Sequence, residues 1–392
     1  MRILVIGVGN PIPSFILRRL RALSKAGIEL TITIENYQRV EDLPKAEFIR
    51  IGGSLSLIHQ FFAFVRALLS PFLFFRLMSL QSELKFIQRL KWAVLYFPLV
   101  RVKTPDVVHF QWLASIPEYS WLRNYFSCPF MGSARGSQLT VYPNTRFSSK
   151  EKIEKAIQRA DYIHCVSKDM ALACERLGAN TEKLIVNYNG ISLTRFTPSH
   201  TTRLESATLR LISIGALIWR KGYVFQLQII KELKDLGHSV TLNIIGSGSD
   251  EMGLRYTAHR LGIEGQVVFE GQQKEEHILV RLQSSDLYLS ASAAEGLPNT
   301  LVEAAACGLP IVAFQCEGVN EVIEENRTGY IVDFGDIKEA AQKIVQLKDA
   351  NKRAAMGQLA REKIEKEFDE AQWVRKMIDV YKDVSAKKKK NK

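Results

Sequence analysis

Short apolar runs of strand length alternate with longer stretches of helical period along this chain, and the alternation occurs as two successive series. Arg2–Ile6 predicts a strand, a glycine turn follows from Gly7 to Asn10, and Phe15, Ile16, Leu20 and Leu23 then recur at helical spacing. Strands are predicted next at Leu30–Ile34, at Val107–Phe110 after the break at Pro105, and at Tyr162–Val166. Between Phe196 and Leu209 the pattern dissolves into Thr, Ser, Pro and charged residues, which reads as a linker. The second series predicts strands at 210–214, 241–245, 267–270, 287–290 and 310–314, with helices at 223–236, up to Leu261, 275–283 and 298–307. Strand and helix in strict alternation predict an α/β chain: two doubly wound, Rossmann-like domains facing across a cleft. The expected limits are 1–196, a linker at 197–209, and 210–369. A helix at 370–384 returns to the first domain, and a basic, disordered tail occupies 385–392.

A chain of 392 residues is longer than one hydrophobic core usually serves, in keeping with two domains. Essentially all of the net charge of +12 falls in residues 1 to 200, while the remainder roughly balances. Such a basic half attracts anions, among which nucleic acid, anionic lipid and phosphorylated substrates are open on charge alone. Cys128, Cys165, Cys174, Cys307 and Cys316 form no CxxC pair and are odd in number, which argues against a disulfide framework or a zinc site and fits a reducing compartment. Met1–Gly7 is too short an apolar run for a signal peptide.

The stretch 55–102 stands apart, being dense in Phe and Leu, with Arg66, Arg76, Lys85, Arg89, Lys91 and Arg101 against a single acid, Glu83. Arg66, Pro71 and Arg76 break any apolar window long enough to cross a bilayer. Two readings stay open: helices lying in a membrane interface, or core helices with a solvated basic face.

The segment most informative about chemistry is Ala294–Pro310, AEGLPNTLVEAAACGLP. Pro298 opens a helix, and Gly308 with Pro310 closes it, so the helix N-terminus follows a strand end. Free N–H groups around Asn299 to Leu301 suit a diphosphate. Glu303, one turn on from Asn299, is suited to accept hydrogen bonds from two neighbouring hydroxyls, as on a ribose, and Glu295 from sugar hydroxyls. With Arg220-Lys221-Gly222, Gly246-Ser247-Gly248, Asn189-Gly190, and Val166-Ser167 in the same order, this pattern resembles the family-4 retaining glycosyltransferases of the GT-B fold, marked by two glutamates seven residues apart. The resemblance covers nearly all of the chain beyond Val107.

That resemblance implies a donor site in which Glu295, Lys221, Arg220 and Arg135 act at the reacting centre. Lys221 meets the donor phosphates, Glu303 the ribose and Glu295 the transferred sugar. Gly296, Leu297, Pro298, Asn299, Thr300 and Leu301 cradle sugar and diphosphate, with Gly215, Gly246 and Ser247 completing the pocket. Gly7 and Gly9 belong to a loop of the first domain that approaches donor and acceptor, with Asn10 and the strand-end His109 as further candidates facing the cleft. Three positions depart from the family: Ala216 stands where a phosphate-binding Arg is usual, Arg135 where a His precedes glycine, and Ile191-Ser192 where Val-Asp follows Asn-Gly. Without an Asp-x-Asp pair, and with fixed cations for the leaving diphosphate, no metal or cofactor is expected.

The implied activity is transfer, with retention, from a nucleotide-sugar to a lipid-linked or polysaccharide acceptor in cell-surface glycan synthesis, such as lipopolysaccharide. The expected place is the cytoplasm, at the anionic inner face of the membrane, without nucleic acid as a partner. Two alternatives compete: a non-catalytic GT-B scaffold, suggested by Ala216 and Arg135, and a nicotinamide-dependent oxidoreductase using the Gly7 loop. The second is disfavoured because the Gly7 loop is half a dinucleotide fingerprint, with Ile12 in place of the third glycine.

Overall fold

The structure is a computed structural model that describes residues 1–35, 43–51, 65, 69–81, 83–199 and 207–390. Much of the expected linker and parts of the 55–102 stretch, Arg66 included, lie outside the described residues.

Strands β1 (Arg2–Ile6), β2 (Glu29–Ile34), β3 (Ala46–Arg50), β4 (Val107–Phe110), β5 (Phe130–Ala134), β6 (Tyr162–Cys165) and β7 (Leu184–Val186) build the first sheet. Its order is β3-β2-β1-β4-β5-β6-β7, with every pair parallel. The second sheet comprises β8 (Leu209–Ile214), β9 (Val240–Ile245), β10 (Val267–Gly271), β11 (Leu287–Ser290), β12 (Ile311–Phe314) and β13 (Gly329–Val332), in the order β10-β9-β8-β11-β12-β13 and again all parallel. The strands are buried on both faces, β4, β5 and β12 throughout, as parallel sheets under helices require. In each half the strand order reverses once, between β1 and β4 and between β8 and β11, and a crevice at the carboxyl ends of the strands opens there. At the second reversal β8 and β11 pair only as far as Ile212 and Tyr288. Beyond that the Tyr288 hydroxyl takes over, accepting from Ile214 N at 3.0 Å and donating to Ile214 O at 3.1 Å.

Four strands, β3, β5, β7 and β13, escape the sequence reading. β5 reads Phe-Met-Gly-Ser-Ala, with three small residues in five; a Cβ at Gly132 would crowd the side chains of Leu113 at 2.5 Å and Ile116 at 2.9 Å. β7 is a three-residue edge strand, too short to show a period. The C-terminal helix runs Glu370–Lys390, past the expected end at 384 and through most of the tail expected to be disordered. Its Trp373, Met377, Tyr381 and Val384 pack with Ile16, Leu20 and Leu23 of helix Ser14–Lys25 over the first sheet. The chain crosses back at Phe368–Glu370, where Ile191 N donates to Phe368 O at 2.8 Å and Glu370 N donates to Ile191 O at 3.0 Å.

The described part of the 55–102 stretch forms helices Pro71–Ser79 and Phe86–Val100. They serve both readings: Phe74, Leu77, Met78, Val94 and Phe97 are buried in the core, while Leu69, Phe72, Phe75, Phe86 and Ile87 are exposed. None of the described helices is long and apolar enough to cross a membrane.

Candidate active site between the halves

The loop after β11 and the helix Asn299–Ala306 carry the centre of the site. Glu295 is only 7% exposed. Lys221 Nζ lies 2.5 Å from its Oε1, and an Arg220 terminal nitrogen 3.4 Å from its Oε2. Burial alone would raise this carboxyl; the charges of Lys221 and Arg220 outweigh it and hold Glu295 below the ordinary carboxylate range. Both cations arrive on a single tight turn, Trp219–Lys221, closed by Gly222 in the left-handed region. Only glycine fits there, since a Cβ would meet Ala291 O at 1.8 Å. The same turn is tied to the β11 loop by Ala293 N donating to Arg220 O at 2.8 Å and by Arg220 donating to Ala294 O at 3.0 Å.

One turn into the following helix, Glu303 is also buried, and its Oε1 lies 2.5 Å from Arg18 of the first half. Asn299 is met from the first half as well, by Asn189 Nδ2 at 2.8 Å. The two halves come closest at a pair of glycines: a Cβ on Gly296 would lie 2.4 Å from Gly136 N. Ser167, which caps the helix Lys168–Arg176, also donates to Gly296 O at 2.6 Å. The carboxyl ends of both sheets therefore face one another, with the two acids between them.

Beside this contact opens a cavity of about 450 Å³. Ser14, Phe15 and Arg18 form its first-half wall; Gly215, Ala216, Gly246, Ser247, Gln272, Gln273, Asn299, Thr300 and Glu303 form much of the rest. Asn299 and Thr300, whose N–H groups precede the first hydrogen-bonded turn of helix Asn299–Ala306, sit at the cavity's rim, while Leu301 N already donates to Pro298 O at 2.9 Å. Of the expected donor residues, Gly215, Gly246, Ser247, Asn299, Thr300 and Glu303 thus share one cavity. Gly296 forms the interdomain contact, Pro298 precedes the helix, and Leu297 and Leu301 are buried supports of the loop.

The first-half candidates divide. Gly7 packs beside Trp112 and Ser115, while Gly9 and Asn10 are exposed at the end of β1. Arg135 adjoins the Gly136 contact, yet its guanidinium is buried and turned to Gln111, donating to the backbone oxygen at 2.8 Å and to Oε1 at 3.0 Å. His109 does not face the cleft. It is buried beneath the C-terminal helix, with Nδ1 at 2.7 Å from the Tyr381 hydroxyl and Nε2 at 2.9 Å from Ser133 Oγ. Burial, then the charges of Arg135 and Arg19, push its pKa down to about 3. This is a neutral histidine tying β4 to the packed helix.

Sequence reasoning missed Arg18, Arg19, Phe15 and Gln111. The Arg18-Arg19 pair passes for a solvated face because helix Ser14–Lys25 carries four cations. The overlooked signal is spacing: Arg19 stands four residues from both Phe15 and Leu23 and three from Ile16, on the apolar stripe.

Residues 201–363 match the family described as glycosyl transferases group 1. Among relatives, the putative colanic acid biosynthesis glycosyltransferase WcaL of Escherichia coli K12 is 27% identical over 255 residues, covering 61% of this chain and 63% of the relative. The amylovoran biosynthesis glycosyltransferase AmsK of Erwinia amylovora is 28% identical over 262 residues, 63% of this chain and 64% of the relative. The match thus spans just under two thirds of these relatives' length. Among solved structures, Anabaena Alr3699/HepE in complex with UDP and glucose aligns at a TM-score of 0.75 with 17% identity, covering 98% of this chain and 100% of that one. Sucrose-phosphate synthase of Thermosynechococcus elongatus aligns at 0.79 with 17% identity, covering 98% and 99%. At such identities the likeness establishes the fold of both halves. This chain carries, over residues 201–363, a domain of the glycosyl transferases group 1 family, set in a GT-B fold.

Proposed function

We propose that this protein is a glycosyltransferase that moves a sugar from a nucleoside-diphosphate donor to an acceptor in surface-polysaccharide synthesis, with retention at the anomeric carbon. One observation carries the reading: a cavity of about 450 Å³ is lined by the buried acid Glu303, one helical turn beyond the start of helix Asn299–Ala306, and the second buried acid, Glu295, is held by Lys221 and Arg220 on the loop that leads into that helix.

The chemistry follows from charge. As the bond between sugar and diphosphate breaks, negative charge builds on the leaving oxygen, and Lys221, Arg220 and the first-turn N–H groups are placed to stabilise it. These fixed charges do the work that a divalent cation does elsewhere, so the transfer is written without a metal. In the structure both acids are satisfied by cations. A bound sugar offers hydroxyls to Glu295, which loosens Lys221 towards the phosphates, and a ribose offers its diol to Glu303, which releases Arg18. The named relatives act in colanic acid and amylovoran biosynthesis, which supports a glycan acceptor, free or lipid-linked.

Membrane association is part of the proposal. Exposed Leu69, Phe72, Phe75, Phe86 and Ile87 lie in one stretch with exposed Lys85 and Lys91, a combination that suits the interface of an anionic bilayer. Replacement of Phe72 and Phe75 by Ser should abolish flotation with anionic liposomes; unchanged flotation removes this part.

The test of the activity is a hydrolysis screen over UDP-, GDP- and ADP-sugars, which needs no known acceptor. One class should be turned over, and Glu295→Gln should stop it. If no nucleoside diphosphate binds at millimolar concentration, the reading falls. A non-catalytic scaffold predicts no turnover with any donor.

A further inference from the structure

The buried face of helix Ser14–Lys25 holds a charge that no acid among the described residues neutralises. Arg19 is 6% exposed, and one of its terminal nitrogens is fully occluded without a partner among the described residues. It lies over the Phe15 ring at 5.6 Å and the Trp373 ring at 5.8 Å. Arg135, equally buried, lies over the same Phe15 ring at 5.4 Å and donates only to neutral groups of Gln111. The third guanidinium, Arg18, borrows Glu303 from the other half and still leaves its Nε buried and unpaired. Among the described residues Glu303 is the one acid paired with these three cations, Glu275 and Glu370 acting on Arg18 from further off, and Glu303 is the acid a donor ribose would claim.

Such an arrangement is expensive for the protein alone. An aromatic ring offsets only part of the cost of taking an unpaired guanidinium out of water. Burial first, then the neighbouring charges of Arg135 and Arg18, push Arg19 well below its ordinary value, and burial brings Arg135 down to about 9. A recess lined by Phe15, Arg18, Arg19, Asn189 and Glu303 borders the cluster, and its roughly 20 Å³ is room for about one water. It shares Phe15, Arg18, Asn299 and Glu303 with the large cavity, so parting of Arg18 from Glu303 would join the two. The planar fork of a guanidinium matches the oxygens of a phosphoryl group, which can be shared by several arginines.

We propose that Arg19 and Arg135, joined by Arg18 once Glu303 turns to the ribose, form a phosphoryl-binding site on the first half, filled by the donor's diphosphate or by a phosphate on the acceptor. Only the release of Arg18 rests on the nucleotide-sugar reading above.

Calorimetric titration of inorganic phosphate into the full chain tests the site, with and without saturating UDP, GDP or ADP, whichever binds. Arg19→Met should weaken phosphate roughly ten- to a hundredfold, the range for losing hydrogen bonds to a charged group, while Lys231→Met, on the solvent side of the second half beside Asp235, leaves it unchanged. Without phosphate, Arg19→Met should melt at or above the wild-type temperature, because an unpaired buried charge has become an apolar chain of similar length. Arg19→Lys, which keeps the charge, should retain part of the affinity and covers the case in which the methionine variant folds poorly. Phosphate that still binds beside the nucleotide assigns the site to the acceptor; competition assigns it to the donor. Equal phosphate affinity in wild type and Arg19→Met, or no phosphate binding by wild type, overturns the proposal. Sugar-nucleotide turnover with an Arg19-independent phosphate leaves the enzyme reading standing and this site refuted; Arg19-dependent phosphate without nucleotide binding does the reverse.

Discussion

The two halves are built alike and furnished differently. Each is a parallel sheet with one reversal of strand order, and each offers loops at the carboxyl ends of its strands. At its reversal the second half places acids and an open helix end, with Glu295 already neutralised by Lys221 and Arg220 from the same half. The first half places Phe15 and three cations, Arg18, Arg19 and Arg135; among the described residues the one acid paired with them is Glu303, which Arg18 reaches in the other half. The repeated fold therefore supplies a crevice twice, and under the proposed function the side chains divide the labour: the second half holds the acids and cations assigned to the reacting sugar, and the first half the arginines assigned to a phosphoryl group.

The sharpest way to break that division is at Lys221. Lys221→Met removes a charge poised for the leaving diphosphate and should lower kcat by roughly 10²- to 10³-fold, as loss of one preorganised donor does elsewhere. A change confined to KM would mean that Lys221 binds donor and transition state equally, and the second half would lose its catalytic claim.

Glu303→Gln is expected next in size, with donor KM rising about tenfold and kcat little changed, because the ribose hydroxyls lose a charged acceptor. A 2′-deoxyribose donor should show much of the same penalty with wild type and little extra with the variant. Equal discrimination in both proteins would place the ribose elsewhere.

The contact between halves is probed by Gly296→Ala, whose Cβ would sit 2.4 Å from Gly136 N. Backbone must shift there, so a loss of roughly 1–3 kcal/mol is expected from denaturant unfolding. At Gly265 an added Cβ meets nothing within 4 Å, so Gly265→Ala serves as the matched control and should change stability little.

A further contrast separates the halves by pH. His109, held at about 3 by burial and the nearby Arg135 and Arg19 charges, stays neutral when folded and takes a proton on unfolding. Its contribution to stability is therefore complete above the unfolded value of about 6.5 and falls as pH drops from there towards 3, by at most about 1.4 kcal/mol per unit. Glu295, held low by Lys221 and Arg220 against its own burial, stabilises above the unfolded carboxylate value of about 4.3 and loses that contribution only as pH falls through its folded value. Melting curves should show His109→Gln flattening the slope between pH 6.5 and 4.5, and Glu295→Gln acting only below that range. If both variants change the same window, the assignment of these groups is wrong.

Much of the second half was legible before any coordinates, because its strands are apolar runs bounded by glycine turns and its helices open and close on Pro298, Gly308 and Pro310. Glu295 and Glu303 were found by their spacing on a loop and helix that the local sequence specifies. The first half yielded less. Its β5 is pinned by Gly132 against Leu113, a tertiary contact that leaves no period, and His109 looked like a cleft residue because its partner Tyr381 lies 272 residues away in the chain. Arg19 was hidden for a similar reason: charge patterning marks a solvated face by composition, and only the C-terminal helix, docking from the far end of the chain, makes that face an interior.

The proposed activity requires a nucleotide to enter between Phe15 and the helix at Asn299. A crystal structure with the bound nucleoside diphosphate tests this most directly. The prediction is a ribose diol within hydrogen-bond distance of Glu303, the diphosphate between Lys221 and the helix N-terminus, and Arg18 swung away from Glu303. A nucleotide bound outside that cavity, or one bound with the Arg18–Glu303 pair intact, would contradict it.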